Sequence, residues 1–220
     1  MKNKTVLIAG SSAGLGQALQ TRFSAGGYHV ISISRNGSGH AHVDLSDARA
    51  TAEWFNQLDP QQPLAGVIHN AMQFHKEAFL DTTPNTFEDV WRASVLTAVN
   101  VAQQVIPRLR TQGGGCLIFS GASGSLRAGS NFSAFSSAKF ALRGLAQGLA
   151  REHCEDGIHV VHTVIDGLIW SDKTQQRFTS AQEQRSMAPA DLADVYWQLF
   201  HQPRSTWTQE LDLRPQGGSF

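Results

Sequence analysis

Three glycines, Gly10, Gly14 and Gly16, fall between a short apolar run, Thr5-Val6-Leu7-Ile8, and a segment whose Leu15, Ala18, Leu19 and Phe23 lie at helical spacing. A strand, a glycine-rich turn and a helix N-terminus together make a place where a phosphate can sit. Backbone N–H groups point at the anion, the helix dipole favours it, and the missing side chains let it approach. A tight strand-to-helix turn without a ligand is the plainer reading of the glycines alone, and the flanking elements favour the nucleotide. If the turn from Ala9 to Gly16 holds a pyrophosphate, the adenosine ribose belongs at the end of the second apolar run, where the chain has Ser34-Arg35 and no carboxylate. An acidic residue there suits a free ribose, whereas the planar donor fork of an arginine suits a 2′-phosphate. The sequence therefore predicts NADP(H) in preference to NAD(H), against the plainer reading of Arg35 as a solvated surface cation.

The elements that must position these residues are legible as alternating patterns. Apolar runs at 6–9, 29–34, 41–43, 64–69, 116–120, 160–165 and 208–213 are mostly continuous in Val, Ile and Leu, as expected of parallel strands covered on both faces. Between them lie helical patterns at 46–58, opening on a Ser46 cap with Asp47 in the first turn, and at 86–109, 133–152 and 189–200. Alternation of this kind predicts an α/β fold: a Rossmann-type, doubly wound parallel sheet of about seven strands in three α/β/α layers. No repeat or low-complexity linker divides the chain, so residues 1–220 are expected to form one nucleotide-binding domain. Only the short polar loop 35–39 joins the second and third strands. A parallel crossover normally needs a dozen or more residues, so the helix expected there is missing or reduced to a turn.

Composition excludes several classes of function. Eighteen basic and eighteen acidic residues leave a formal charge of zero, which recommends neither a nucleic acid nor an anionic membrane as partner. The chain is 41% hydrophobic, yet it contains no run long enough to span a bilayer, and the apolar run after Lys4 is too short for a signal-peptide core. Two cysteines, Cys116 in a strand-like run and Cys154 near a helix end, read as free thiols, and a cytoplasmic location is expected. Nine histidines show no metal-ligand spacing, so no metal site is expected.

These residues resemble the short-chain dehydrogenase/reductases over essentially the whole chain. Gly10-Ser11-Ser12-Ala13-Gly14-Leu15-Gly16 has that family's Gly-x-x-x-Gly-x-Gly spacing, and Asp44-Leu45 looks like the pair that borders the adenine. Asn70-Ala71 resembles part of its Asn-Asn-Ala-Gly turn, with His69 and Met72 on either side. Asp166-Gly167 falls where the family has Pro-Gly beside the nicotinamide, followed by Ile169 and by Ser171 in place of a Thr that holds the carboxamide. Glu210-Leu211-Asp212-Leu213 resembles its last strand. The resemblance implies a small-molecule substrate and a homodimer or homotetramer paired through the helices at 86–109 and 133–152, with Arg110, Arg143, Arg151 and Glu152 at the rim.

The family's chemistry rests on a Tyr and a Lys four residues apart, a Ser upstream, and often an Asn on the long helix. The phenol, with a pKa near 10 in water, must be lowered by the ammonium to exchange a proton near neutral pH. Here Lys139 is present, but position 135 is Phe, position 132 is also Phe, and the only tyrosines, Tyr28 and Tyr196, lie far from the motif. Ser123 stands twelve residues before Phe135 and matches the serine, with Gly121 as the alternative alignment; Ser94 occupies the Asn position. Two readings stay open. One is an NADP(H)-dependent oxidoreductase acting on a small carbonyl, alcohol or related substrate with an atypical site, its proton coming from Ser123, Lys139, His75 or water. The other is an NADP(H)-binding sensor or regulatory protein without catalysis. A sugar-nucleotide epimerase or dehydratase is disfavoured, since 220 residues are expected to leave no room for a substrate domain. The specificity segment 170–187 offers only Trp170 and Phe178 as anchors.

Overall fold

A computed structural model describes residues 4–11, 13–35, 39–59, 62–176, 183 and 185–217. The strands are β1 (Thr5–Ala9), β2 (His29–Ser34), β3 (Ala41–His42), β4 (Leu64–His69), β5 (Gly115–Ser120), β6 (Ile158–Ile165) and β7 (Glu210–Leu213). They form one sheet in the order β3-β2-β1-β4-β5-β6-β7, and every pairing is parallel. The helices are α1 (Leu15–Ala25), α2 (Ala48–Asn56), α3 (Pro84–Trp91), α4 (Thr97–Thr111), α5 (Ser133–His153), the short α6 (Asp172–Gln175) and α7 (Pro189–Phe200). This is the three-layer, doubly wound sheet that the alternating patterns predict.

The continuous apolar strands follow from burial on both faces. In β1, Leu7 and Ala9 face a core shared with Phe55 of α2, Leu109 of α4 and Leu142 of α5. Val6 and Ile8 face the opposite core, with Leu19 and Phe23 of α1 and Tyr196 of α7. The period-2 alternation thus divides one strand between two cores.

Several boundaries differ from expectation for local reasons. The cap of α2 is Asp47, whose carboxylate accepts from Ala50 N–H at 3.0 Å, while Ser46 donates to Asp44 instead. The expected helix at 86–109 is α3 and α4 joined by a π-helical turn, Arg92–Leu96. At the end of that wider turn the hydroxyl of Thr97, the first residue of α4, donates to Ala93 O at 3.0 Å, a side-chain bond that competes with the regular ladder. Strand β6 begins at Ile158, earlier than the apolar pattern shows, because His159 is buried by stacking on Trp207 at 4.8 Å between ring centroids and by its Nε2–H donating to Thr208 O. Strand β3 is only two residues long, and no helix lies in the described part of the 35–40 connection; His40 instead folds back onto Ser32. Both cysteines are free thiols, Cys116 buried and Cys154 exposed. Among the described residues no helix is long and apolar enough to cross a membrane, and no cluster of His, Cys, Asp or Glu could hold a metal ion.

Candidate cofactor groove and active site

Strand order reverses between β1 and β4, and the crevice beyond their C-terminal ends is the binding position of doubly wound sheets. Gly10 leaves β1 with φ +93°, and a β-carbon on it would lie 2.5 Å from the Ala71 nitrogen. Only glycine lets the first turn lie so close to the turn after β4. Asn70 closes the pair, its Nδ2 donating to Gly10 O at 3.1 Å and its backbone N–H to Ala9 O at 2.7 Å. Gly14, with φ +98°, is the N-cap of α1. Leu15 turns its side chain into the core with Leu19 and Phe23. Ser12 lies outside the described residues. Across the turn stands Ser171, its Cβ 3.2 Å from where a Gly14 β-carbon would be, fixed by the Thr174 hydroxyl that accepts from Ser171 N–H. Ile169 is pinned by a bridge to Met187.

From this turn a groove of about 710 Å³ runs past Gly10, Ser11 and Ala13, with Ser34, Arg35, Asp44 and Leu45 on one side and Asn70, Ala71, Met72 and Gln73 on the other. Desolvation alone would raise the Asp44 pKa. Hydrogen bonds from the Ser46 hydroxyl at 2.8 Å and N–H at 3.0 Å, with the charges of Arg35 and Arg92, hold it below the ordinary carboxylate value. Asp89 and Arg92 also line the groove, and sequence reasoning missed both. They come from the α3 end and the π-helical turn, far along the chain, where nothing in the local pattern marks them. A second hollow, of about 400 Å³, opens at the N-terminal ends of the strands beside Cys116, His159 and Trp207 and holds none of the predicted residues.

Lys139 and Phe135 lie on one face of α5, as their spacing requires. The ammonium is 2% exposed, donates to Ser120 O at 2.8 Å and sits 5.8 Å from the Phe135 ring centroid. Burial lowers its pKa to about 8. Beyond it on β4, burial and the Lys139 charge lower the His69 pKa to about 3, so its imidazole is neutral. Thr97 already donates to Ala93 O, which makes His69 Nε2 the donor to the Thr97 hydroxyl at 2.9 Å.

Ser123 opens a single 3₁₀ turn, Ser123–Ser125, half-buried, and the next residue, Gly124, abuts Phe135: a β-carbon there would lie 3.1 Å from the ring. At Gly121, the alternative slot, a β-carbon would lie 2.2 Å from His162 Nε2, so no serine fits. Ser94 falls in the π-helical turn, fully buried, and its hydroxyl has no partner among the described residues. Such turns recur at functional sites.

Other candidates are committed elsewhere. The Asp166 carboxylate, expected beside the nicotinamide, is ion-paired to Arg127 at 2.7 Å and Arg214 at 3.6 Å, while Gly167 packs under Pro215. His75 pairs with Glu77 at 3.2 Å. Tyr28 contacts His201, and Tyr196 is fully buried with its hydroxyl 2.8 Å from Ser120 Oγ. Neither phenol takes the place of Phe135. Of the expected rim residues, Arg143 is bound to Glu210 within the chain and Arg110 to Asp156.

A family model described as short chain dehydrogenase matches residues 4–182. The chain belongs to the short chain dehydrogenase family. Members are oxidoreductases that bind NAD(P), and the turn and groove described above are at the position where this fold holds a dinucleotide. Among solved structures, a short-chain dehydrogenase from Rhodopseudomonas palustris is 31% identical, with a TM-score of 0.83 over 98% of this chain and 100% of that one. ElxO with NADP bound shares the fold at 18% identity, with a TM-score of 0.87 over 96% of this chain and 97% of its own. Among curated proteins, the 3-oxoacyl-[acyl-carrier-protein] reductase MabA of Mycobacterium bovis is 27% identical over 209 residues, 88% of this chain and 83% of its own.

Proposed function

We propose that this short chain dehydrogenase is a cytoplasmic, homo-oligomeric oxidoreductase that uses NADP(H) in preference to NAD(H) and works without the phenol of its family. The observation that carries the reading is one groove joining the glycine turn to Arg35 and Asp44 on one side and to Asn70–Ala71 on the other. Its donor set fits the cofactor. Backbone at Gly10, Ala13, Gly14, Leu15 and Gly16 suits a pyrophosphate, Asp44 and Leu45 the adenine, Ser34 and Arg35 a 2′-phosphate, and Asn70, Ala71, Gly167, Ile169 and Ser171 the nicotinamide half. When bound, the cofactor supplies or takes a hydride. Asp166 contributes through its backbone, since its carboxylate is held by two arginines. Lys139 is aligned by Ser120 O to hold the nicotinamide ribose, and Ser123, beside Gly124, to hold a substrate oxygen. Binding of nicotinamide cofactors on this fold is supported by ElxO with NADP and by a Tyr→Phe variant of ElxO with NADPH.

Purified protein titrated with NADPH and NADH, followed by nicotinamide or tryptophan fluorescence, is expected to bind NADPH at least about tenfold more tightly; equal affinities overturn the preference. A second reading, a cofactor-binding sensor, is favoured by one observation. Phe135, 8% exposed, has no proton to give and packs against Phe74 and Phe132. NADPH bound but never oxidised across carbonyl, imine and quinone acceptors would establish the sensor.

A further inference from the structure

The groove runs to Met72 and Gln73, and beyond it the loop after β4 presents a cluster of rings. Phe74, 58% exposed, meets Phe132 edge-on at 5.8 Å and Phe135 at 5.4 Å between centroids. Phe132 and Phe135 are 6.4 Å apart, and Met72, 44% exposed and two residues before Phe74, lines the groove. Three tilted rings, one of them open to solvent, form a shelf that a flat π-system covers well, through offset and edge contacts. The cation of Lys76, 5.4 Å from the Phe132 centroid, and the buried ammonium of Lys139, 5.8 Å from the Phe135 centroid, give the shelf positive surroundings.

The same residues remove the acid. Hydride addition to an ordinary ketone makes an alkoxide, whose conjugate acid is about as weak as water, near 15.7, so a proton must arrive with the hydride. A quinone differs, because its reduced form is a phenolate, with a pKa near 10 and about five to six orders of magnitude less basic. Resting on the oxidoreductase reading above, we propose that the hydride acceptor is a planar aromatic quinone, held against Phe74, Phe132 and Phe135 and reduced without a protein acid. In the step, the C–H bond at the reduced nicotinamide breaks and its hydrogen and electron pair pass to one quinone oxygen. The ring aromatises, the nicotinamide is oxidised, and the second oxygen carries the negative charge until water protonates it. The product is the hydroquinone.

The test uses the whole protein and 9,10-phenanthrenequinone, whose ring carbons are closed to addition by the exposed Cys154 thiol. NADPH oxidation is expected at a kcat/KM at least about 100-fold above that with acetophenone or cyclohexanone. Because Phe74 is exposed, Phe74→Ala should fold normally and retain NADPH affinity. It should weaken quinone binding, measured by calorimetry without cofactor, and raise the quinone KM, each about tenfold, with Phe74→Trp restoring both. Quinone binding unchanged in Phe74→Ala, or ketones reduced as well as the quinone, overturns the proposal. NADPH bound without quinone reduction overturns it and leaves the cofactor reading standing; NADPH not bound overturns both.

Discussion

The Lys139 ammonium lies 5.8 Å from the centre of the Phe135 ring and donates at 2.8 Å to Ser120 O on β5, so a charge that would lower a phenol faces a ring that has none. The lysine half of the pair is built and buried, and the proton-bearing half is absent.

Phe135→Tyr places a hydroxyl on that ring. If Ser123 and Lys139 are arranged as proposed, ketone reduction with NADPH should rise by roughly 10²-fold or more, the usual contribution of a positioned acid. Initial rates with acetophenone before and after the substitution check it, and unchanged rates would show that position 135 does not face the substrate.

Arg35→Ala should weaken NADPH binding about tenfold to 100-fold, the scale of one charge-assisted contact to a phosphate, and leave NADH affinity within about twofold. Equal losses for the two cofactors would mean that Arg35 does not read the 2′-phosphate.

Lys139→Met should alter the pH dependence of stability. Burial lowers the folded-state pKa of Lys139 to about 8, below its ordinary value of 10.5. Between those values the unfolded chain binds more protons than the folded one, so this group destabilises the fold fully below about pH 8 and progressively less up to about pH 10.5. The stability of the variant relative to the parent should therefore fall by a few kcal/mol across that window, followed by urea unfolding at each pH. Comparing the two proteins at equal pH cancels Cys116 and Tyr196, whose pKa values burial raises and whose contributions run the other way.

Tyr196→Phe removes a buried hydroxyl placed 2.8 Å from Ser120 Oγ and 2.5 Å from Thr163 Oγ1. Leaving these groups without a partner should cost about 1–3 kcal/mol of stability, measurable by denaturant titration, with NADPH affinity unchanged. A loss of NADPH affinity would mean that this network also sets the position of the groove.

What the sequence by itself determined is the part written in local patterns. Continuous apolar runs placed β1, β2, β4 and β5 within a residue, because strands in the middle of a sheet covered on both faces cannot hide their composition. The Gly10–Gly16 spacing placed the turn because the backbone angles of Gly10 and Gly14, and the close approach of Gly16 to Ser11, exclude other residues. The 35–40 connection was legible as too short for a helical crossover. Tertiary structure alone decided which distant groups meet. Arg92 reaches the Asp44 side of the groove from a π-helical turn. Asp166 is turned to Arg127 and Arg214, and Gly121 is denied a side chain by His162. The first two residues of β6 fell outside the apolar run because a stacked tryptophan covers His159, an imidazole that reads as polar. Each of these depends on a packing partner far along the chain, and no pattern of period 2 or 3.6 carries that information. The rings of Phe74, Phe132 and Phe135 are the clearest case: scattered in sequence, they become one surface only when the loop after β4 folds against α5.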